Sequence, residues 1–174
     1  MIKTVYDLIR IKAVVFDVDG VLSPVCVPLG NDGVPRRMAN LRDGYALQLA
    51  IRKGIKIAVI TGCNDVAVEK RLNLLGIKDI YFTSTDKLEV LKKWMSEQNL
   101  ISLNVAYVGD DIPDLQCLRY AGLAVCPSDA AVEAKNTAHY ITDAAGGYGV
   151  ARELLEQILK VRNAWPDVAH ANGL

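Results

Sequence analysis

The chain has 174 residues, 20 basic and 20 acidic side chains and a formal net charge of +0 at pH 7, a balance that favours neither nucleic acid nor an anionic membrane as partner. No apolar run reaches the ~20 residues of a membrane span, and the length suits one domain, which we expect over residues 1–174. The first residues lack a signal peptide's apolar core and the four cysteines form no Cys-x-x-Cys pair, so we expect reduced thiols and a cytoplasmic protein.

Short apolar runs alternate with helical patterns along most of the chain. We predict strands at 12–17, 55–60, 80–82, 105–108 and 123–125, and helices at 44–53, 65–75, 87–98 and 111–121 with a last helix ending near 161. This alternation predicts an α/β fold with a doubly wound parallel sheet, Rossmann-like, and right-handed crossovers.

Two segments depart from the alternation. Residues 22–43 carry Asn31-Asp32-Gly33 between extended stretches, which predicts a protruding β-hairpin, with a disordered loop as the alternative. Residues 163–174 are poor in apolar side chains, and we expect a mobile tail there. Gly146-Gly147-x-Gly149 has no βαβ unit after it, so a nucleotide site is not expected.

Polar side chains follow three of the predicted strands. Asp17 and Asp19 come directly after the first strand, and two carboxylates there are costly unless a cation or a reaction needs them. Thr61-Gly62 follows the second, and Asp110-Asp111, with Asp114 one helical turn later, follows the fourth; Lys87 opens a helix between them. A solvated Asp-x-Asp turn is the alternative for the first pair.

An acidic set of this kind favours Mg²⁺, which takes oxygen ligands and can bridge a carboxylate and a phosphate dianion. We expect Asp17, Asp110 and the backbone carbonyl of Asp19 to be its protein ligands. The two histidines, His139 and His170, stand alone in the sequence, so a zinc site is not expected.

The ordered set Asp-x-Asp-Gly, Thr-Gly, Lys and Gly-Asp-Asp-x-x-Asp resembles the haloacid dehalogenase superfamily of phosphotransferases. The resemblance implies that Asp17 is the nucleophile and that Asp19 is the general acid and base. It also implies that Thr61 and Lys87 donate to phosphoryl oxygens, with Asp111 and Asp114 as orienting groups. For Asp111 and Asp114, the alternative is a structural role as N-capping or first-turn acids of a helix, and for Lys87 it is a solvated helix start.

The gaps between Asp17 and Thr61 and between Lys87 and Asp110 hold no separate cap domain. The chain also contains Asn40-Leu41-Arg42-Asp43-Gly44, Val68-Glu69-Lys70-Arg71 and Gly146-Gly147-x-Gly149-x-x-Arg152-Glu153. With these motifs, the capless arrangement resembles the branch of tetrameric 3-deoxy-D-manno-octulosonate 8-phosphate phosphatases, from Ile11 to about Leu159. That resemblance implies a homotetramer whose sites are completed by a neighbouring subunit, a phosphorylated keto-deoxy sugar acid as substrate and a role in lipopolysaccharide precursor synthesis. The substrate-binding residues it implies are Asp19, Asn40, Leu41, Arg42, Asp43, Gly44, Gln48, Thr61, Gly62, Cys63, Arg71 and Lys87.

Two positions depart from that branch. Cys63 stands where many members have an arginine, and Gln48 occupies another basic position. The alternative substrate is a nine-carbon keto-deoxy sugar acid 9-phosphate, and the alternative of another class is a non-catalytic oligomerisation or regulatory homologue. Intact Asp17, Asp19, Lys87 and Asp110 favour an enzyme over that homologue.

Overall fold

The structure is a computed structural model that describes residues 5–166. Within this range the strands form one parallel sheet in the order β3-β2-β1-β4-β5-β6. They are β1 (Ala13–Phe16), β2 (Lys56–Ile60), β3 (Asp79–Tyr81), β4 (Val105–Val108), β5 (Leu123–Cys126) and β6 (Tyr140–Ile141). The predicted doubly wound α/β sheet without a cap domain is confirmed.

Seven helices accompany these strands in the described range. They are α1 (Val5–Arg10), α2 (Leu41–Arg52), α3 (Val66–Leu74), α4 (Lys87–Glu97), α5 (Leu115–Tyr120), α6 (Val132–Thr137) and α7 (Val150–Val161). The short elements α1, α6 and β6 were not predicted. None of these helices has the length and apolar content needed to cross a membrane.

Two predicted helices have different bounds in the structure. The predicted helix 44–53 already begins at Leu41, because the Asn40 side chain accepts hydrogen bonds from the backbone N–H groups of Arg42 (2.9 Å) and Asp43 (3.3 Å). The predicted helix 111–121 is divided into a 3₁₀ turn, Ile112–Asp114, and α5.

The sheet separates two apolar cores. Side chains alternate along each strand, so Val14 and Phe16 pack on the side of α2 and α7, whereas Ala13 and Val15 pack on the side of α4 and α5. Trp94 and Tyr107 are fully buried in the second core. Because both faces are covered, the strands are apolar throughout, and polar residues are confined to the strand ends.

Antiparallel pairing in the predicted 22–43 hairpin is limited to residues 28–36. Gly30 N–H donates to Val34 O and Arg36 N–H donates to Pro28 O, each at 2.8 Å, around the predicted turn. Leu29 is 71% exposed at this pairing. Residues 41–43 belong to α2, Ser23 forms a bridge with Asp19, and the rest of the segment is irregular.

The start of the predicted tail packs on the domain. The Ala164 N–H donates to Leu159 O at 2.8 Å, and the Trp165 ring lies against the Arg152 guanidinium (4.5 Å) and the Tyr45 ring (6.1 Å between centroids). Residues 163–165 of the predicted tail therefore contact the domain, and the mobility of the tail stays a prediction. Residues 167–174 of the predicted tail lie outside the described residues.

Candidate active site

The carboxyl ends of β2, β1 and β4, three neighbouring strands, bring the predicted polar residues into one cleft of about 580 Å³. Its lining includes Asp17, Asp19, Thr61, Gly62, Cys63, Lys87, Asp110, Asp111 and Asp114. Lys87 reaches the cleft from the first residue of α4, whose N-cap Asp86 accepts from the Glu89 N–H at 3.1 Å. Motifs spread over the chain thus converge at the edge where open α/β sheets bind ligands.

A buried ion-pair network forms the base of this cleft. Lys87 Nζ donates to Asp17 Oδ2 (2.6 Å) and to Asp114 Oδ1 (2.8 Å). The Tyr107 hydroxyl donates to Asp114 Oδ1 at 2.8 Å, and Asp114 Oδ2 accepts from the Asp110 N–H at 3.0 Å. Burial opposes the charge of Lys87, but the two carboxylates raise its pKa above the ordinary value.

Three carboxylates crowd one point of the network. Oxygens of Asp17, Asp110 and Asp114 lie within 4.8 Å of one another. Burial, followed by the charge of Asp114, raises the pKa of Asp17 to about 6; burial and the charges of Asp114 and Asp17 raise the pKa of Asp110 to about 7. One lysine does not balance three carboxylates, so this oxygen donor set fits a divalent cation such as Mg²⁺.

Asp110 lies directly over Gly20. Gly20 has φ +74°, and a Cβ there would collide with the Asp110 carboxylate. The loop after β1 therefore comes close enough to Asp110 for its backbone to join the cation site.

The two predicted orienting acids differ in environment. Asp114 is buried and both of its oxygens are hydrogen bonded, whereas Asp111 is exposed. Neither side chain caps the helical element that follows it. By position, Asp111 is still the N-cap of the 3₁₀ turn and Asp114 lies in its first turn, as the alternative predicts.

Asp19 turns away from this trio towards Arg37, a residue that the sequence analysis missed. Arg37 Nε and Nη2 donate to Asp19 Oδ1 and Oδ2 at 2.7 and 2.8 Å, and Nη1 lies 3.4 Å from Asp65 Oδ2. The basic pair Arg36-Arg37 after the predicted turn could have indicated a functional residue, but its position in the sequence does not show that Arg37 contacts Asp19.

Thr61, Gly62 and Cys63 form the wall of the cleft after β2. Thr61 is buried and its Oγ1 accepts from the Cys63 N–H at 3.2 Å. Burial raises the pKa of the Cys63 thiol. The wall thus presents a hydroxyl and a neutral thiol.

A second cavity of about 230 Å³ adjoins the cleft and shares Arg37 with it. Its lining is mainly apolar, with Asn40, Asp43 and Arg71 as polar members of the predicted set. The Arg71 guanidinium lies over Gly44, where a Cβ would be 2.6 Å from Nη2. The structure therefore brings Asn40, Asp43, Gly44 and Arg71 together.

Three predicted substrate-binding residues are not placed with this group. Leu41 and Arg42 are exposed, and Arg42 lines a separate groove with Arg152 and Lys160. Gln48 is half-buried further along α2 and lines neither the cleft nor the second cavity. In this single chain these residues line neither the cleft nor the second cavity.

Asp43 is buried beside the second cavity and incompletely hydrogen bonded. Its Oδ1 accepts from the Arg152 N–H at 2.7 Å, while no hydrogen-bond partner for Oδ2 is found among the described residues. Burial, opposed by the Arg152 N–H and charge, raises the pKa of Asp43 to about 6.

The Gly146-Gly147 loop supports the active-site loop of the same chain. Gly147 N–H donates to Val21 O at 2.8 Å, and Gly147 O accepts from Asn40 Nδ2 at 3.1 Å. A Cβ at Gly146 would collide with the Gly20 carbonyl, and one at Gly147 with Pro24. Both glycines are thus required for close backbone approach.

No site of zinc type is found among the described residues. The His139 Nδ1 accepts from the Ala124 N–H at 3.0 Å, away from the cleft. His170 lies outside the described range. The four cysteines are free thiols.

Comparison with known proteins identifies relatives over nearly the whole chain. A sequence profile of haloacid dehalogenase-like hydrolases matches residues 75–154. The 3-deoxy-D-manno-octulosonate 8-phosphate phosphatase of Salmonella typhi is 37% identical over 150 residues, which cover 86% of this chain and 80% of that protein.

Solved structures agree with these matches. The phosphatase of the same designation from Yersinia pestis superposes with a TM-score of 0.88 at 34% identity, covering 92% of this chain and 86% of that one. The Moraxella catarrhalis phosphatase, solved with a magnesium ion, a phosphate ion and a KDO molecule, gives 0.87 at 33% identity and 91% coverage of both chains.

Proposed function

The chain belongs to the haloacid dehalogenase-like hydrolases, and we propose that it is a Mg²⁺-dependent phosphatase that hydrolyses 3-deoxy-D-manno-octulosonate 8-phosphate. The products are the free sugar acid, for lipopolysaccharide precursor synthesis, and phosphate. The observation that carries the proposal is the buried Asp17–Lys87–Asp114 network beside Asp110. This arrangement suits transfer of a phosphoryl group to a carboxylate.

Asp17 is the nucleophile in this proposal. The Val18 N–H holds its Oδ1 at 2.6 Å and Lys87 holds its Oδ2, so the carboxylate is fixed before the substrate arrives. An Asp17 oxygen attacks phosphorus, the ester P–O bond breaks, and an aspartyl-phosphate forms as the alkoxide leaves. Asp17, Asp110 and the Asp19 carbonyl would hold Mg²⁺, which would neutralise charge between the carboxylate and the phosphate.

Asp19 moves the protons in both steps. It gives a proton to the departing alkoxide and then takes one from the water that attacks the aspartyl-phosphate, which releases phosphate and regenerates Asp17. The Thr61 hydroxyl and the Lys87 ammonium donate to phosphoryl oxygens and stabilise their charge in the transition state. Asp114 orients Lys87, and Asp111, at the exposed rim, would orient water bound to Mg²⁺.

The sugar acid extends from the cleft past Arg37 into the second cavity. Arg71 and Asn40 line that cavity, and a guanidinium binds a carboxylate through two parallel hydrogen bonds. We assign Arg71 rather than Arg42 to the sugar carboxylate, because Arg42 lies in another groove of this chain. Leu41, Arg42 and Gln48 retain a substrate role only in an assembly that brings a second subunit to them.

We also propose a homotetramer in the cytoplasm. The exposed apolar side chains of the hairpin support assembly through that segment, because Leu29, Val25 and Val34 are 71, 66 and 40% exposed. A neighbouring subunit then covers the site that lacks a cap. Four free thiols suit a reducing compartment.

A substrate screen tests the proposal. Catalytic efficiency with Mg²⁺ is measured for the eight-carbon sugar acid 8-phosphate, a nine-carbon keto-deoxy sugar acid 9-phosphate and an aryl phosphate, with Asp17→Asn as the inactive control. We expect the highest efficiency for the eight-carbon substrate. Preference for the nine-carbon compound would replace the substrate assignment, and no turnover of any phosphate would favour a non-catalytic homologue.

A further inference from the structure

Arg37 lies at the boundary between the cleft and the second cavity and lines both. Among the described residues that line the cleft, Arg37 and Lys87 are the basic ones. Lys87 is occupied at the phosphoryl end by Asp17 and Asp114. Arg37 is therefore the basic residue of the cleft that lies next to Asp19.

The contacts of Arg37 fix the carboxylate of Asp19. Two guanidinium nitrogens meet the two Asp19 oxygens in a parallel, two-point pair, a geometry that sets both the position and the plane of the carboxylate. The Arg37 side chain is 11% exposed and that of Asp19 is 47% exposed. The less exposed Arg37 thus holds the more exposed Asp19, whose side chain would otherwise be free to change rotamer.

The far side of the guanidinium is held as well. Arg37 Nη1 lies 3.4 Å from Asp65 Oδ2, and Asp65 is itself fixed as the N-cap of α3, where its Oδ1 accepts from the Ala67 N–H at 2.8 Å. Through Arg37, the start of α3 thus helps to fix the orientation of Asp19. This orientation therefore does not depend only on the irregular segment that carries Arg37.

We infer that Arg37 is the positioning residue for Asp19, holding its carboxylate where it receives the proton of the water that cleaves the aspartyl-phosphate. The inference rests on the proposed function, because it needs Asp19 as the general base. Direct binding of the substrate by Arg37 is the competing role. It is disfavoured because three of the guanidinium nitrogens are already directed at Asp19 and Asp65.

The test compares Arg37→Met and Arg37→Lys with Arg36→Met as the matched control. Arg36 adjoins Arg37 and also forms an ion pair, with Asp32 at 2.8 Å, but its side chain is 56% exposed and lies outside the cleft. Each variant is assayed with the sugar-acid phosphate and with p-nitrophenyl phosphate, whose leaving group needs no protonation. Rapid mixing resolves the two chemical steps, and intact-mass spectrometry of acid-quenched enzyme measures the phosphorylated fraction.

We expect Arg37→Met to lower kcat about 10²-fold, the cost of a misplaced catalytic group, without raising KM. With the aryl phosphate it should show a burst of nitrophenol equal to the enzyme concentration, and phosphorylated enzyme should accumulate. Arg37→Lys, which keeps one charged contact, should restore part of kcat. Arg36→Met should match wild type in both assays.

A double-mutant cycle isolates the pair. In an Asp19→Asn background, Arg37→Met should cause no further loss of kcat, because the group it positions is already gone. Full additivity of the two losses would overturn the inference, as would a raised KM with unchanged kcat, which would make Arg37 a substrate-binding residue. With the aryl phosphate, whose first step needs no proton from Asp19, equal loss of both chemical steps in the Met and Lys variants would indicate a scaffolding role and would also overturn it.

The wild-type measurements separate this inference from the proposed function. A wild type that hydrolyses neither phosphate contradicts the proposed function and the inference together. An active wild type with a normal Arg37→Met variant contradicts the inference alone.

Discussion

Lys87 Nζ and Asp17 Oδ2, on residues 70 positions apart in the chain, lie 2.6 Å from each other at the base of the cleft. Both side chains are buried, at 6 and 10% exposure, so neither charge is shielded by water. A buried pair of this kind is weak evidence for stability, because desolvation opposes the Coulomb attraction. Its position at the carboxyl ends of the central strands instead favours a role in chemistry.

Asp17→Asn should abolish turnover, because an amide does not attack phosphorus. The fold should be retained, since the amide is isosteric and removes a buried charge whose pKa is already raised to about 6. Steady-state rates with an aryl phosphate and thermal unfolding measure the two effects. Activity within tenfold of wild type would contradict the covalent mechanism.

Removal of the divalent cation should stop the reaction. EDTA is expected to abolish activity and Mg²⁺ to restore it, whereas Ca²⁺ should inhibit because its larger and looser coordination misplaces nucleophile and phosphate. Mg²⁺ should also raise Tm of the wild type, since it binds only the folded carboxylate cluster. Asp110→Ala should need far more Mg²⁺ for activity and lose that Tm shift. Full activity in excess chelator would contradict this site chemistry.

Tyr107→Phe should lower kcat about tenfold with little effect on KM. The hydroxyl donates to Asp114 Oδ1 at 2.8 Å, and the same oxygen accepts from Lys87, so its removal loosens the group that orients Lys87. Tyr120→Phe, at an exposed ring on α5, is the control. An unchanged kcat in Tyr107→Phe would show that Lys87 and Asp17 suffice to hold the network.

Asp43 should make the protein less stable as the pH rises. Its folded pKa of about 6 lies above the value of 3.8 expected when unfolded, so the folded state binds more protons between these values. The stability that this group contributes is complete below about pH 4 and is lost as the pH passes 6. Asp43→Asn should therefore reduce the fall in Tm between pH 5 and pH 7.5 while keeping an acceptor for the Arg152 N–H.

The control for that measurement is Asp32→Asn. Asp32 is exposed, and the Val34 N–H lowers its pKa, so its substitution should not reduce the fall in Tm. If Tm of Asp43→Asn falls between pH 5 and pH 7.5 as much as that of wild type, groups other than Asp43 determine the pH dependence of stability.

The sheet and its polar edge were predictable from the sequence, because they depend on short-range patterns. Val14 and Phe16 lie in an uninterrupted apolar run that ends at Asp17, which is the pattern of a strand buried on both faces. Parallel connections then place Thr61 and Asp110 at the same edge as Asp17. The order of the motifs was therefore sufficient to predict that the residues of the main cluster lie together.

The pairing of Arg37 with Asp19 was not predictable in this way. Arg37 lies in an irregular segment without periodicity, so no pattern determines which way its side chain points. Tyr107 was also missed, because a tyrosine inside an apolar strand is expected in the core, and only the structure shows its hydroxyl at Asp114. Gln48 lies four residues after Gly44, on nearly the same face of α2, so the sequence pattern groups the two, and only the structure shows that Gln48 does not line the cavity.

The hairpin gives the test of assembly. Leu29→Glu combined with Val34→Glu places charges on side chains that are 71 and 40% exposed in this chain, so the isolated fold should tolerate them while a buried subunit contact should not. We expect sedimentation analysis to show monomers. Catalytic efficiency with the sugar-acid phosphate should fall more than that with an aryl phosphate, which needs no cover from a neighbour.

The control is Leu74→Glu on α3, where the side chain is 76% exposed outside the hairpin, and it should leave assembly and both activities unchanged. A monomeric variant that turns over the sugar-acid phosphate as efficiently as wild type would refute the shared site, because a single subunit would then supply everything that substrate recognition requires.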